Sequence, residues 1–260
     1  MSPLVSVVLP VFNEEDRVVA AVHSILAQSL SDFELLVVDD GSTDATPARL
    51  ADIQDPRLHV IRLDANVGRA AAKNHALDRA QGQYVAFMDA DDESEPHRLE
   101  VQVAFLEAHP EVDILGAALR TTGGSRSEVW RPHTDHAHIQ AELLFSCAVY
   151  GPTSIVRRGF LEQHEIRFVP GHFVEDYEMW IQALHTARFA NLPDVLLNYH
   201  FVPEDRGKDT RAKQEAIVPL SLAQLQGLGL APTARQQQLH SALCRPVGYQ
   251  LQSLEDVYDC

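Results

Sequence analysis

Acidic residues follow three short apolar segments in the first hundred residues of the chain. They are at positions 14 and 15, at 39 and 40, and at 89, 91 and 92. Like charges that lie close together are costly unless a cation or hydrogen-bond donors compensate them. The spacing of Asp89 and Asp91 lets both carboxylates reach one octahedral Mg²⁺ or Mn²⁺ and its water shell. A metal that is held by a few carboxylate oxygens keeps water at its other coordination positions, where phosphate oxygens can bind. The pattern therefore predicts a metal–pyrophosphate site.

Alternating strands and helices must position these carboxylates. Apolar runs at 5–9, 35–38, 59–62 and 84–88 predict four buried strands, and Pro10 ends the first. The apolar stripe between Val18 and Leu26 predicts a helix, as does the segment 68–80. Strands joined by helices form a parallel sheet, whose carboxyl ends meet at the edge where ligands bind. The sequence therefore predicts an α/β fold with a Rossmann-like, mostly parallel sheet flanked by helices.

The second part of the chain is less regular. Pro96 predicts the start of a helix, and residues 112–119 predict another strand. The polar stretch 126–138 is typical of a loop, and the apolar spacing from Tyr177 to Leu184 predicts a late helix. In the tail, Pro219 and Pro232 predict short helices that attach loosely to the core and provide a candidate oligomer contact.

The composition excludes several classes of protein. Lys and Arg number 21 against 37 Asp and Glu, a formal net charge of −16, which disfavours a nucleic-acid groove. Three widely spaced cysteines without a CxxC pair argue against a Cys-type zinc site and fit a reducing cytoplasm. Met1–Leu9 lacks the pattern of a signal peptide, and no apolar run approaches the ~20 residues of a membrane helix. These features favour a cytoplasmic protein.

Four segments resemble, in order and spacing, the motifs of the family 2 glycosyltransferases. They are Val5–Glu15, Val37–Asp44, Asn66-x-Gly68 with Lys73-Asn74, and Asp89–Asp92. A fifth, Val174–Trp180, resembles the Glu-Asp motif that opens a late helix in this family and supplies its catalytic base. Pro152–Arg158 resembles the segment that precedes that motif.

This resemblance implies a GT-A fold and inverting transfer of a sugar from a nucleoside diphosphate. Asp176 would be the base that deprotonates the acceptor hydroxyl. Asp40 would accept the N3–H of a uracil, on which Phe12 could stack. Asp91 would bind Mn²⁺ or Mg²⁺, and Asp89 would lie near the ribose and assist with the metal. The other implied donor-binding residues are Pro10, Val11, Asn13, Glu14, Gly68, Lys73 and Ala90.

The resemblance also implies a division of the chain and a set of partners. Residues 1–205 would form the GT-A domain, with a nucleotide-sugar half at 1–95 and an acceptor half at 96–205, followed by a helical segment at 206–260. The donor would be a UDP-sugar and the acceptor a glycan, a lipid-linked glycan or a protein. The absence of the Gln-x-x-Arg-Trp motif of processive synthases favours single-sugar transfer. Peripheral association with the inner face of the membrane is compatible with this role.

One departure from the family concerns a clamp for the pyrophosphate. The usual Tyr-Arg pair is here Tyr199-His200. A clamp would instead come from Arg206, Lys208 or Arg211.

Simpler interpretations remain for several motifs. The segment 39–44 could be a turn that caps the following helix, and spacing alone leaves Asp176 equally a helix cap or a base. His133, His136 and His138 lack a metal-ligand framework and favour a solvated loop. Trp180 is more typical of a core, whereas Trp130 is a candidate for stacking with an acceptor.

Two other functions compete with sugar transfer. A sugar-1-phosphate nucleotidyltransferase would need a Gly-rich basic loop after the first strand, where this chain has Asn13-Glu14-Glu15. A catalytically inactive nucleotide-binding or scaffold subunit would keep the pocket without turnover. The presence of Asp89, Asp91 and Asp176 argues against that alternative.

Overall fold

A computed structural model describes residues 2–124, 126–171, 174–201 and 206–244. The first half alternates strands and helices, as predicted. Its elements are β1 (Val5–Val11), α1 (Val18–Leu26), β2 (Phe33–Asp39), α2 (Thr46–Ala51), β3 (Leu58–Arg62), α3 (Arg69–Leu77) and β4 (Tyr84–Phe87).

The first four strands run parallel, which confirms the predicted arrangement. β1 lies between β2 and β4 and pairs in parallel with both, and β3 continues the sheet beyond β2. Val11 at the end of β1 faces Asp39 at the end of β2, and Val8 faces Phe87. Because the strands end side by side, the segments that follow them share one edge of the sheet.

The second half adds strands of mixed direction. Its elements are β5 (Glu93–Ser94), α4 (Arg98–Ala108), β6 (Ile114–Thr122), β7 (Val129–Trp130), α5 (His136–Glu142), a 3₁₀ turn (Gly151–Thr153), β8 (Ile155–Arg157), α6 (Arg158–Gln163), α7 (Glu175–Ala183), β9 (Phe189–His200), α8 (Arg206–Gly227) and α9 (Ala234–Leu243). The described strands form one sheet in the order β3-β2-β1-β4-β8-β6-β9-β5, with β7 paired to β6. The prediction of a loop over 126–138 is wrong at both ends, where β7 and the first turn of α5 form.

Apolar residues cover both faces of the sheet. In β1, Val7 and Leu9 join one core cluster and Val8 joins the other, because successive side chains of a strand point to opposite faces. Trp180 of α7 is fully buried in the second cluster, which confirms that it belongs to the core. Each such fully buried side chain contributes roughly 1.5–3 kcal/mol to folding.

The tail differs from its prediction. Pro219 does not end a helix, since α8 continues through it to Gly227. Its ring lies on the exposed side, while Ile217 and Ser221 are buried, so packing offsets the missing backbone bond. The amide of Gln224 donates to the carbonyl of Leu143 at 3.1 Å, and the described tail is therefore fastened to the core. Within the described ranges, no helix combines the length and the apolar character needed to cross a membrane.

Candidate functional site

The loops after β1 and β2 are tied together at the edge of the sheet. The backbone N–H of Asn13 donates to Ser42 Oγ at 3.0 Å, and that of Glu14 donates to Thr46 Oγ1 at 2.8 Å. Asn13 adopts a left-handed conformation with φ of 54°, which turns the chain sharply. The side chain of Phe12 remains 42% exposed beside this junction. Three of the residues predicted to bind the sugar donor are buried near the strand ends, namely Pro10, Val11 and Ala90.

The two aspartates at the end of β2 have different surroundings. Both carboxylate oxygens of Asp40 accept backbone N–H groups, from Val67 at 2.8 Å and from Gly68 at 2.9 Å. Asp40 therefore holds the loop that leads into α3, and each oxygen keeps a second lone pair. Asp39 accepts the N–H of Ser42 through Oδ1 at 2.9 Å, while its buried Oδ2 has no hydrogen-bond partner among the described residues. Arg62 Nε lies 3.6 Å from this oxygen and forms an ion pair with it, which the sequence motif did not show.

Asp89, Asp91 and Asp92 form a compact acidic cluster after β4. One carboxylate oxygen of each lies within 4.8 Å of the others. Burial raises the pKa of each carboxyl, and the neighbouring carboxylates add to this effect. Asp92 Oδ1 accepts the backbone N–H of His200 at 2.8 Å, whereas Oδ2 is buried without a partner within the described chain. Unpaired oxygens and mutual repulsion make the cluster suited to a divalent cation.

His200 lies beside this cluster. Its Nε2 is buried and has no hydrogen-bond partner in the described part of the chain, and its ring packs over the backbone of Gly123. The imidazole lies close enough to Asp91 to interact with it electrostatically. The sequence showed His200 only as the loss of an arginine, whereas its position makes it a candidate metal ligand.

A buried cation lies opposite the acidic cluster. Lys73 of α3 is 1% exposed, and its ammonium donates to Asp176 Oδ1 at 2.7 Å and to Glu175 Oε1 at 3.3 Å. Burial alone would lower the pKa of Lys73, but the carboxylates of Asp176, Glu175 and Asp89 outweigh it and raise that pKa. Arg69, one turn earlier, is half-exposed and bonds Glu175 at 2.7 Å. Lys73 thus contacts Asp176, the predicted base. That Lys73 also contacts the sugar donor stays a prediction.

The carboxylate of Asp176 packs against Gly151 as well as pairing with Lys73. α7 begins at Glu175 after Val174, which makes no side-chain cap, so the interpretation of Asp176 as the helix cap is wrong. A Cβ on Gly151 would lie only 1.9 Å from Asp176 Oδ2, so only glycine leaves room for this carboxylate. Asp176 remains 22% exposed and can therefore meet a substrate.

A buried arginine that the sequence did not single out supports the acidic cluster. Arg98 of α4 donates to the carbonyl of Phe87 at 2.8 Å and to that of Ser154 at 3.3 Å. It is fully buried, and burial lowers its pKa to about 10 even though Asp92 and Asp89 oppose that shift. Arg98 therefore fixes the end of β4, from which the cluster begins.

The remaining predicted residues lie away from these groups. His138 bonds Asp135 at the start of α5, and His136 stacks on Phe189. Among the described residues, the group of side chains that could hold a metal ion is Asp89, Asp91 and Asp92, and it includes none of these histidines. The side chains of the three candidate clamp residues, Arg206, Lys208 and Arg211, lie outside the described residues.

The comparison with protein families identifies the class of protein. The model of glycosyl transferase family 2 matches residues 6–173. The match covers more than half of the chain, and the chain belongs to this family.

Curated relatives extend this result. An uncharacterized glycosyltransferase of Haemophilus influenzae is 30% identical over 76% of this chain and 65% of its own length. The Escherichia coli UDP-Glc:alpha-D-GlcNAc-diphosphoundecaprenol beta-1,3-glucosyltransferase WfgD is 29% identical over 70% of each chain. The chain spans between 42% and 65% of the length of four of the curated relatives that it matches.

Solved structures confirm the GT-A fold. S. aureus TarS in complex with UDP-GlcNAc aligns with a TM-score of 0.69 at 23% identity, over 93% of this chain and 71% of that one. The Pyrobaculum calidifontis mannosyltransferase PcManGT in complex with GDP-Man and Mn²⁺ aligns with a TM-score of 0.68 at 22% identity, over 93% and 69%. The mixed sheet with flanking helices and a helical C-terminal region is therefore the GT-A arrangement.

Proposed function

We propose that this chain transfers a single sugar, with inversion, from a nucleoside diphosphate sugar to an acceptor hydroxyl. One observation carries the proposal: an acidic cluster with an unpaired buried oxygen lies within electrostatic range of a carboxylate that a buried lysine holds. The first arrangement suits a metal-bound diphosphate, and the second suits a general base. Family membership supports the same reaction.

The donor would bind at the edge where β1, β2 and β4 end. Phe12 offers an exposed aromatic face for the base, and the carboxylate of Asp40 offers an acceptor for a base N–H. UDP is our proposed nucleotide, because the name of WfgD specifies UDP-Glc and TarS was crystallised with UDP-GlcNAc. PcManGT holds GDP-Man in the same fold, so the base must be tested directly.

The metal would be held by Asp89 and Asp91, with Asp92 in the same cluster and His200 beside it. A cation at this place would lower the raised pKa values of the three carboxyls. It would also offer a partner to His200 Nε2, which has none among the described residues. A bound Mn²⁺ or Mg²⁺ would stabilise the charge that develops on the departing diphosphate. PcManGT was crystallised with Mn²⁺, which supports Mn²⁺ as the first metal to test.

Asp176 would act as the base. Its carboxylate takes the proton of the acceptor hydroxyl as that oxygen bonds to the anomeric carbon. The bond from this carbon to the diphosphate oxygen breaks on the opposite side, and its electron pair leaves with the nucleoside diphosphate. A single displacement of this kind inverts the configuration. Lys73 keeps Asp176 in position from within the protein, on the side away from solvent.

Calorimetric titration with UDP, GDP, dTDP and CDP, each with and without Mn²⁺, tests the donor site. We expect Mn²⁺-dependent binding of UDP that disappears in Asp91→Asn. The matched control is Asp52→Asn, which removes one exposed carboxylate beyond the last turn of α2 and should leave binding intact. An absence of nucleotide binding in every condition would refute the donor site.

Turnover separates an enzyme from an inactive binding subunit. Asp176→Asn should retain nucleotide binding but lose transfer by a factor of ~10²–10⁴, the usual contribution of a general base. Full activity in this variant would remove Asp176 from the mechanism. Binding without turnover in the unaltered chain, across a panel of donors and acceptors, would favour a scaffold subunit.

The acceptor would belong to the assembly of a polysaccharide or glycolipid at the cytoplasmic side of a membrane. Names of relatives support the first part, since one is the succinoglycan biosynthesis protein ExoO of Rhizobium meliloti. The cytoplasmic location, peripheral membrane association and an oligomer contact through the C-terminal helices stay predictions.

A further inference from the structure

Four aromatic side chains form a cluster, namely Trp130, Tyr150, Tyr199 and Phe201. The ring centroid of Trp130 lies 6.4 Å from that of Tyr150 and 6.0 Å from that of Tyr199. The ring of Phe201 lies 5.4 Å from Trp130 on a third side. The indole is partly buried, so the cluster encloses it without covering it completely.

Two residues of this aromatic cluster are chain neighbours of residues that contact Asp176 and Asp92. Tyr150 directly precedes Gly151, the residue whose Cα lies against Asp176 Oδ2. Tyr199 directly precedes His200, whose backbone N–H donates to Asp92 at 2.8 Å. Trp130 contacts both tyrosines, and Tyr199 lies close enough to Asp92, Asp89 and Asp91 to interact with them electrostatically. The indole therefore lies on the side of the acidic cluster, next to the turn that carries Gly151.

Backbone pairing holds Trp130 in place. β7 pairs with β6 so that Trp130 lies opposite Leu119. The turn before it is fastened by Thr121, whose N–H donates to the carbonyl of Glu128 at 2.8 Å and whose Oγ1 accepts the N–H of Glu128 at 2.8 Å. The indole Nε1 donates to the exposed carboxylate of Glu128 at 3.4 Å. The backbone of Trp130 is therefore held by β-sheet pairing, while part of its aromatic face stays open.

We propose that Trp130 is the stacking surface for the acceptor and that the unit that accepts the new sugar is itself a pyranose. This inference rests on the proposed function. One face of a pyranose carries C–H groups that suit the negative face of an aromatic ring, while its hydroxyl groups project from the rim. Glu128, at the edge of the indole, supplies an acceptor for such hydroxyls. A serine or threonine acceptor in a protein has no flat apolar face that would use this surface.

Substitutions at Trp130 test the proposal through the acceptor alone. Trp130→Ala should lower kcat/KM for a sugar acceptor at least about tenfold, the effect of losing ~1.4 kcal/mol. Trp130→Phe should recover part of this loss, because it keeps an aromatic face. The matched control is Val129→Ala, which alters the exposed neighbour on the same strand. Mn²⁺-dependent UDP binding and slow donor hydrolysis by water should be equal in all four proteins.

Fluorescence provides a readout that does not depend on turnover. The chain has two tryptophans, and Trp180 is fully buried, so a sugar that stacks on the surface alters the emission of Trp130. With UDP and Mn²⁺ present, we would titrate the methyl glycosides of glucose, galactose, mannose and N-acetylglucosamine. We expect a saturable change with at least one of them, and its loss in Trp130→Phe.

The outcomes distinguish this inference from the proposed function. Loss of UDP binding and of donor hydrolysis in the unaltered chain would refute the proposed function itself. Intact donor chemistry, together with unchanged acceptor kinetics in Trp130→Ala or no saturable emission change with any glycoside, would overturn the stacking role of Trp130.

Discussion

Replacing Lys73 with methionine would remove the buried ammonium group while keeping most of the side-chain volume. At an effective dielectric constant of ~20, the 2.7 Å contact with Asp176 corresponds to a gross attraction of about 6 kcal/mol. The burial of the ammonium offsets part of this attraction. Removing one partner of a buried pair usually costs about 3–5 kcal/mol, because the other charge is left uncompensated. We expect a loss near 3 kcal/mol, since Glu175 retains Arg69 and Asp176 is partly exposed.

Urea unfolding, monitored by the emission of the buried Trp180, would measure this loss. The matched control is Arg69→Met, which removes a cation from the same helix one turn away. Arg69 is half-exposed, so its ion pair should contribute at most about 1 kcal/mol. Asp176→Asn in the Lys73→Met background should restore part of the stability, with a coupling energy of roughly 1–3 kcal/mol. Equal losses in Lys73→Met and Arg69→Met, or strictly additive effects in the double variant, would refute the reasoning.

Three further predictions concern other parts of the molecule. Gly151→Ala should displace Asp176 and lower transfer by about 10²-fold while UDP binding by calorimetry is unchanged; unaltered kcat would contradict the contact. Asp92→Asn should raise the urea midpoint in EDTA, because it removes one charge from three that repel; a lower midpoint would show that the carboxylate stabilises the metal-free fold. Burial lowers the pKa of His240, so the unfolded chain binds the proton more tightly and stability should fall as the pH drops below ~6.5. His240→Gln should reduce that fall, measured as urea midpoints at neutral and mildly acidic pH, and an unchanged pH dependence would contradict it.

The sequence predicted the donor side of the fold because the relevant signals are local. Continuous apolar runs predict buried parallel strands, and the geometry of such sheets places the residues after them at one edge. Asp39, Asp40 and the segment 89–92 could therefore be placed together without coordinates. β9 escaped prediction, since Pro193 and Asp194 interrupt its apolar pattern at an irregularity in the pairing with β6.

Contacts between distant parts of the chain could not be predicted in this way. Lys73 and Asp176 are 103 positions apart, and no periodicity relates them. Arg98 reads as an ordinary residue of an amphipathic helix, although it is fully buried. His200 appeared only as a deviation from a motif, because the sequence does not show that its ring nitrogen is enclosed and unpartnered. Such features depend on how the second half packs against the first.

The ion pair between Lys73 and Asp176 has a consequence for recombination between members of the family. The lysine belongs to the half that carries the donor motifs, and the aspartate belongs to the half that would receive the acceptor. A chimera that exchanges one half for that of a relative keeps the proposed base in position only if the incoming half supplies a buried group of opposite charge at the same place. New acceptor preferences should therefore be acquired more readily by exchanging the surface around Trp130 than by exchanging whole halves of the protein.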